Sequence, residues 1–173
     1  MQLTIETGAL LFVVAMVAGC VDTIAGGGGL IALPTMLMVG LPPAAALATN
    51  KLQGSGGTLM ASTYFLRKQI VRLRDIKLSI LMTFSGAVCG VWLVLQMNST
   101  VLATIIPFLL IEMGAYFALS PQLGATDQKH RLAHGPFSVM IAPLLGFYDG
   151  FFGPGTGMFM ALSLIGLRGY NLT

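Results

Sequence analysis

Long apolar runs separated by short polar or glycine-rich breaks organise this chain. The first run covers about residues 8–25, and Gly26, Gly27, Gly28 and Gly29 interrupt it. A shorter apolar piece follows at about 30–40 and ends at Gly40-Leu41-Pro42-Pro43. The next run, about 43–66, contains Asn50, Lys51 and Gln53. A basic stretch at 67–77 leads to two runs at about 78–97 and 100–120, which form a hairpin around Asn98-Ser99-Thr100. After a polar stretch at 121–135 comes an apolar run at about 136–152. Gly153-Pro154-Gly155 breaks it, and a short apolar piece continues to about 167. Runs of about 17–25 apolar residues are the length of a helix that crosses a bilayer. The pattern predicts an all-α membrane protein, a polytopic helix bundle in which glycine breaks create half-helices.

The chain also repeats itself. Residues 19–29 read Gly-Cys-Val-Asp-Thr-Ile-Ala-Gly-Gly-Gly-Gly, and residues 146–157 read Gly-Phe-Tyr-Asp-Gly-Phe-Phe-Gly-Pro-Gly-Thr-Gly. A shift of 127 positions places Gly19 on Gly146, Asp22 on Asp149, Gly26 on Gly153 and Gly28 on Gly155. Paired glycine-interrupted apolar segments in two halves of a chain point to a transporter binding site. The expected organisation is a first repeat of a four-span half at 1–135 and the start of a second at 136–173. The segment at 43–66 has no second copy after the second break, so the sequence reads as part of a longer protein.

Composition agrees with the pattern. The chain of 173 residues is 55% hydrophobic and only 9% charged. Arg67, Lys68, Arg72, Arg74 and Lys77 fall in one eleven-residue stretch, and Lys129 and Arg131 in a second. The net charge of +3 therefore belongs to loops flanking apolar spans, as the positive-inside rule expects. It forms no basic stripe for nucleic acid. Two spans separate the basic stretches, which places both on the cytoplasmic side. The side of the N-terminus depends on whether 8–40 is one broken span or ends in a re-entrant half-helix. A lack of Lys and Arg before residue 8 leans towards an outside N-terminus. That lack, and a run that leads into Asp22 and glycines, also argue against a cleaved signal peptide. Cys20 and Cys89 read as small packing residues.

Four ionisable residues fall inside the apolar runs: Asp22, Lys51, Glu112 and Asp149. A charge at the bilayer centre costs at least about 2.5–3.5 kcal/mol on insertion scales, so such residues face a cavity or a partner. Helices that stop inside the membrane free backbone groups that lipid cannot satisfy. Half-helices starting near Leu30 and Met158 would aim free N–H groups and a positive dipole end at the breaks, a setting that suits an anion. Lys51 adds a full positive charge, and Thr49, Asn50 and Gln53 add neutral donors. The candidate substrate-binding residues are Asp22, Gly26, Gly27, Gly28, Gly29, Thr49, Asn50, Lys51, Asp149, Gly153 and Gly155. The plainer reading is that Asp22 caps the half-helix or pairs with Lys51 and that the glycines only allow close packing. Gly86-x-x-x-Gly90 is read as packing alone. Glu112 has no repeat partner. His130 and His134 lack an H-E-x-x-H context and carry no metal assignment, and the glycine runs match no nucleotide-binding motif.

Residues 19–29, Ala-Leu-Ala-Thr-Asn-Lys-Leu at 46–52 and Gly-Phe-Tyr-Asp-Gly-Phe-Phe-Gly-Pro-Gly at 146–155 resemble the sulfite exporter TauE/SafE family, and within it the group of probable membrane transporters. The resemblance covers essentially the whole chain. It implies a multi-pass protein of the cell inner membrane, built by duplication of a four-span half, that moves small sulfur-containing anions such as sulfite or organosulfonates.

These readings converge on a secondary transporter for a small anion, not an enzyme, with the bilayer as solvent and no cofactor. Asp22 or Asp149 is the candidate carrier of a coupling proton. A passive channel and a scaffold subunit are the competing classes, and a homo-oligomer is compatible with all three.

Overall fold

The computed structural model describes residues 4–69, 73–119, 137–160 and 163. Its described regular elements are helical. Helix α1 (Ile5–Ala25) starts where the Thr4 side chain accepts the Thr7 amide and ends at Gly26. Gly26 has φ +69°, a left-handed conformation that a residue with a Cβ rarely adopts, and its N–H closes the last turn on the Asp22 carbonyl at 2.8 Å. Helix α2 (Gly29–Met38) follows α1 after three residues, Gly26 to Gly28. Pro42 and Pro43 then open helix α3 (Pro43–Arg67), where proline at the first position costs no hydrogen bond. Helices α4 (Leu73–Gln96) and α5 (Ser99–Leu119) form the expected hairpin. One π-turn (Phe137–Ile141) leads into helix α6 (Ala142–Phe151). After the second break, residues 156–160 are helical again.

The expected basic loop at 67–77 is shorter in the structure. Helix α3 reaches Arg67 and α4 begins at Leu73, so Arg74 and Lys77 ride on the first turns of α4. Helical hydrogen bonding continues past the apolar run because long basic side chains keep their heads in water while their stems lie along apolar surface. Arg72 and the polar stretch with Lys129, His130, Arg131 and His134 lie outside the described residues.

Among the described residues, three helices are long and apolar enough to cross a membrane: Ile5–Thr23, Ile76–Gln96 and Ser99–Tyr116. Helix α3 has the length, at 25 residues, but Asn50, Lys51, Gln53 and three glycines lower its apolarity. The surface explains the composition. Phe12, Phe84, Trp92, Phe108 and Ile111 are all exposed. Such a continuous apolar surface suits lipid and would aggregate in water. Cys20 and Cys89, read as packing residues, are free thiols on exposed faces of α1 and α4. Their apolar segments turn these positions outward, so apolar context alone misplaced them.

The buried core centres on α2. Ala32, Leu33 and Met36 meet Ala18 of α1, Ala46 and Leu47 of α3, and Leu102, Ile106 and Met113 of α5. Phe152, at the second break, enters the same cluster and is 1% exposed. The second break is thus anchored in the core around α2.

Helix α6 is held by α4 through glycines on both sides. A methyl group at Gly86 or Gly90 would strike the carbonyl oxygens of Pro143 or Phe147. One at Gly146 or Gly150 would strike those of Thr83 or Ala87. The Gly86-x-x-x-Gly90 reading as packing therefore fits, and Gly146 and Gly150 complete the joint. In lipid, where tails compete equally for apolar side chains, such close backbone approach supplies the association. Gly146→Val should lower stability by about 1–3 kcal/mol through overpacking. Gly114→Ala, where a methyl group meets nothing within 4 Å, should be neutral or slightly stabilising. Thermal unfolding of both variants in detergent checks this; equal midpoints would contradict the joint.

Candidate functional site

The two glycine breaks, far apart in sequence, touch. A methyl group built on Gly26 would lie 2.9 Å from the Cα of Gly157 and 2.9 Å from the Met158 amide nitrogen. One built on Gly29 would lie 3.0 Å from Pro154 and 3.0 Å from the Asn50 side-chain nitrogen. Only glycine lets these backbones meet. Gly27, Gly28, Gly29, Pro154 and Gly155 are buried there, and Gly26 and Gly153 are half-buried.

The first break is closed by its own residues. A methyl group on Gly28 would strike the Ala18 carbonyl and come within 2.7 Å of the Asp22 side chain. Gly28 therefore lies beside α1, level with Ala18 and Asp22, and α2 starts alongside α1 instead of extending it. The Asp22 carboxylate accepts the Gly28 amide at 3.1 Å. A negative group at the start of α2 also meets the positive end of its dipole. Of the two plain roles, Asp22 fills the capping one; it does not pair with Lys51.

The second break is completed by a residue of α3. The amides of Phe152 and Gly153 both turn to the Tyr148 carbonyl, at 2.8 Å and 3.2 Å. The Asp149 carbonyl accepts the Lys51 ammonium instead. The Lys51 ammonium also lies 4.0 Å from an Asp149 carboxylate oxygen. Gly153 makes room for it: φ is +97°, and a methyl group there would come within 3.0 Å of the Lys51 nitrogen. Repeat-related aspartates thus sit in equivalent places but differ in what completes their helix end, an amide of the same break at Asp22 and a lysine at Asp149.

Among the remaining candidates, Asn50 stands over Gly29 and joins the cluster. Thr49 lies on the exposed side of α3 and shares none of these polar contacts. Gln53 donates to the Ala15 carbonyl at 2.9 Å, and its buried side-chain oxygen has no partner among the described residues. Glu112 is exposed on α5. No group of three or more His, Cys, Asp or Glu comes together among the described residues.

Tyr148 was not legible as a site residue. Its hydroxyl donates to the Pro154 carbonyl at 2.7 Å, which staples the end of α6 to the far side of the break. Its ring packs edge-on against Phe152 at 6.0 Å and Phe159 at 5.3 Å. The available signal was its place next to Asp149, one residue before the repeated carboxylate.

Comparison with known proteins adds the biological frame. A family model described as Sulfite exporter TauE/SafE matches residues 11–173. A probable membrane transporter protein of Haemophilus influenzae is 49% identical over 172 residues, covering 99% of this chain and 68% of that protein. The probable membrane transporter protein YfcA of Escherichia coli K12 is 49% identical over 163 residues, covering 94% of this chain and 61% of that protein. The probable membrane transporter protein ORF9 of Sinorhizobium is 45% identical over 164 residues, covering 95% and 63%. The chain thus spans roughly two thirds of the length of these curated relatives. No solved structure matches it significantly.

Two substitutions separate the charge of Asp22 from its cap. Asp22→Ala removes the acceptor for Gly28 and should cost about 0.5–2 kcal/mol. Asp22→Asn keeps an acceptor oxygen and should lose a smaller part of that. Thermal unfolding of the purified variants reads the difference; an Asn variant as unstable as Ala would contradict the capping role.

Proposed function

Because the chain belongs to the sulfite exporter TauE/SafE family of membrane transporters, we propose that it works as a secondary transporter for a small anion in the cell inner membrane, as a multi-pass protein. The observation that carries this reading is the meeting of the two glycine breaks with a lysine ammonium held at the second of them. A positive charge beside two helix breaks within apolar runs suits an anion. In this reading the substrate binds among Gly26 to Gly29, Asn50, Lys51, Gly153 and Gly155, with Thr49 at the edge. The family's description makes sulfite the first substrate to try, and the sequence resemblance adds a simple organosulfonate. The sequence holds no ATP-binding motif, so the energy would come from an ion gradient or from the substrate gradient alone. Asp22 or Asp149 would carry the coupling proton. The two-repeat organisation, with 1–135 as one unit and 136–173 opening the next, supplies the pair of breaks.

The test is flux of labelled sulfite, and of a simple sulfonate, into proteoliposomes with and without a pH gradient. Saturable flux that follows the gradient is expected. Lys51→Gln should lower it at least about tenfold, the order expected for loss of a charged partner in a poorly solvated site. Asp22→Asn should insert normally and lose gradient-driven flux. Unsaturable flux would favour a passive channel, and full gradient-driven flux in the Asn variant would remove Asp22 from coupling.

A further inference from the structure

Lys51 is held by two partners of different kinds, and only one of them is fixed. The Asp149 carbonyl belongs to the backbone of α6 and is freed because the Gly153 amide turns to Tyr148. The Asp149 carboxylate, at 4.0 Å, makes an ion-pair contact outside hydrogen-bond range. An ammonium has three donors on a flexible stem and can change one partner while keeping another. The Lys51 and Asp149 side chains are 30% and 49% exposed, so the pair is not sealed. Beside the ammonium stands Gly153, where no side chain intervenes. Asp22, by contrast, has its carboxylate committed to the Gly28 amide.

We propose that the Asp149 carboxylate is an intramolecular competitor of the transported anion. It neutralises Lys51 when the site is empty, and an arriving anion displaces it while the Asp149 carbonyl keeps the ammonium in place. This deepens the reading of the two breaks as an anion site and rests on it. The physical reason is charge balance. An ammonium within an apolar run is less stable unpaired than paired even where it is partly exposed, so the empty carrier keeps a built-in anion beside it. With Asp149 as stand-in, Lys51 faces one negative partner in both the empty and the loaded state. The competitor also keeps binding weak enough for release.

The experiment is thermal unfolding of the purified protein titrated with sulfite, for the wild type, Asp149→Asn and Lys51→Gln. Removing the competitor should lower the half-saturating sulfite concentration by about threefold to fivefold, the scale of a partly exposed ion pair. The lysine variant should show no sulfite-dependent stabilisation. In proteoliposomes, Asp149→Asn should show a lower KM together with a lower maximal flux. Should the Asn variant fail to fold, Asp149→Ser carries the same expectation, while Asp149→Glu, which keeps a competitor, should stay near the wild-type value. A half-saturation equal to or above the wild type, or no sulfite response in any variant, overturns the competition. Sulfite binding that tightens without any wild-type flux would instead leave the competition standing and overturn the transport reading.

Discussion

A helix that ends inside a bilayer leaves N–H and C=O groups that lipid cannot satisfy, and this structure is arranged around that constraint. Two such ends occur, at Gly26 and at Phe152 and Gly153, and each must be closed by protein. Closing them takes glycine at the crossing, where Gly26 meets Gly157 and Gly29 meets Pro154. It takes Asp22 to cap α2 and Lys51 to reach across to α6. The core follows from the same need. Helix α2 is too short to span a bilayer, and it is stable because α1, α3 and α5 bury it on Leu33 and Met36. Packing of α6 on α4 through four glycines then holds the second break against the first.

The two breaks solve one problem in two ways, and the difference bears on function. In the first, the Asp22 carbonyl takes the Gly26 amide and its carboxylate takes the Gly28 amide, so the break is complete within its own repeat. In the second, the carbonyl of the matching aspartate takes a lysine from α3, and its carboxylate stays only loosely engaged. A self-contained break suits a fixed element. A break completed by a charged side chain from elsewhere suits an element whose partners exchange. The Tyr148 hydroxyl on Pro154 limits that exchange to side chains by holding the backbone of the second break in shape.

Much of this was legible in the residues. Apolar run lengths placed α1, α2, α3 and the α4–α5 hairpin, because a bilayer fixes helix length more strictly than water does. Repeated Gly-x-x-Asp segments marked both breaks, since intramembrane charge and glycine are costly unless used. What escaped was contact across the fold. Whether Lys51 served Asp22 or Asp149 is a matter of how α3 crosses α6, which no local pattern records. Exposure of Cys20 and Cys89 escaped for a related reason: in a membrane protein, apolar segments face outward as readily as inward. Tyr148 looked like one aromatic among many because its role depends on the turn that brings Pro154 back to it.

The central claim is that the two breaks are in direct contact. Its most direct test is disulfide formation between Gly29→Cys and Pro154→Cys in native membranes, in a background where Cys20 and Cys89 are replaced by alanine. A methyl group on Gly29 would sit 3.0 Å from the Cβ of Pro154, so an outward shift of about 0.5–1 Å brings the two Cβ atoms into the disulfide range of about 3.5–4.5 Å. The account predicts rapid, near-complete intramolecular cross-linking under mild oxidation, with none in either single-cysteine variant. Absence of the cross-link in a double variant that inserts normally would contradict it.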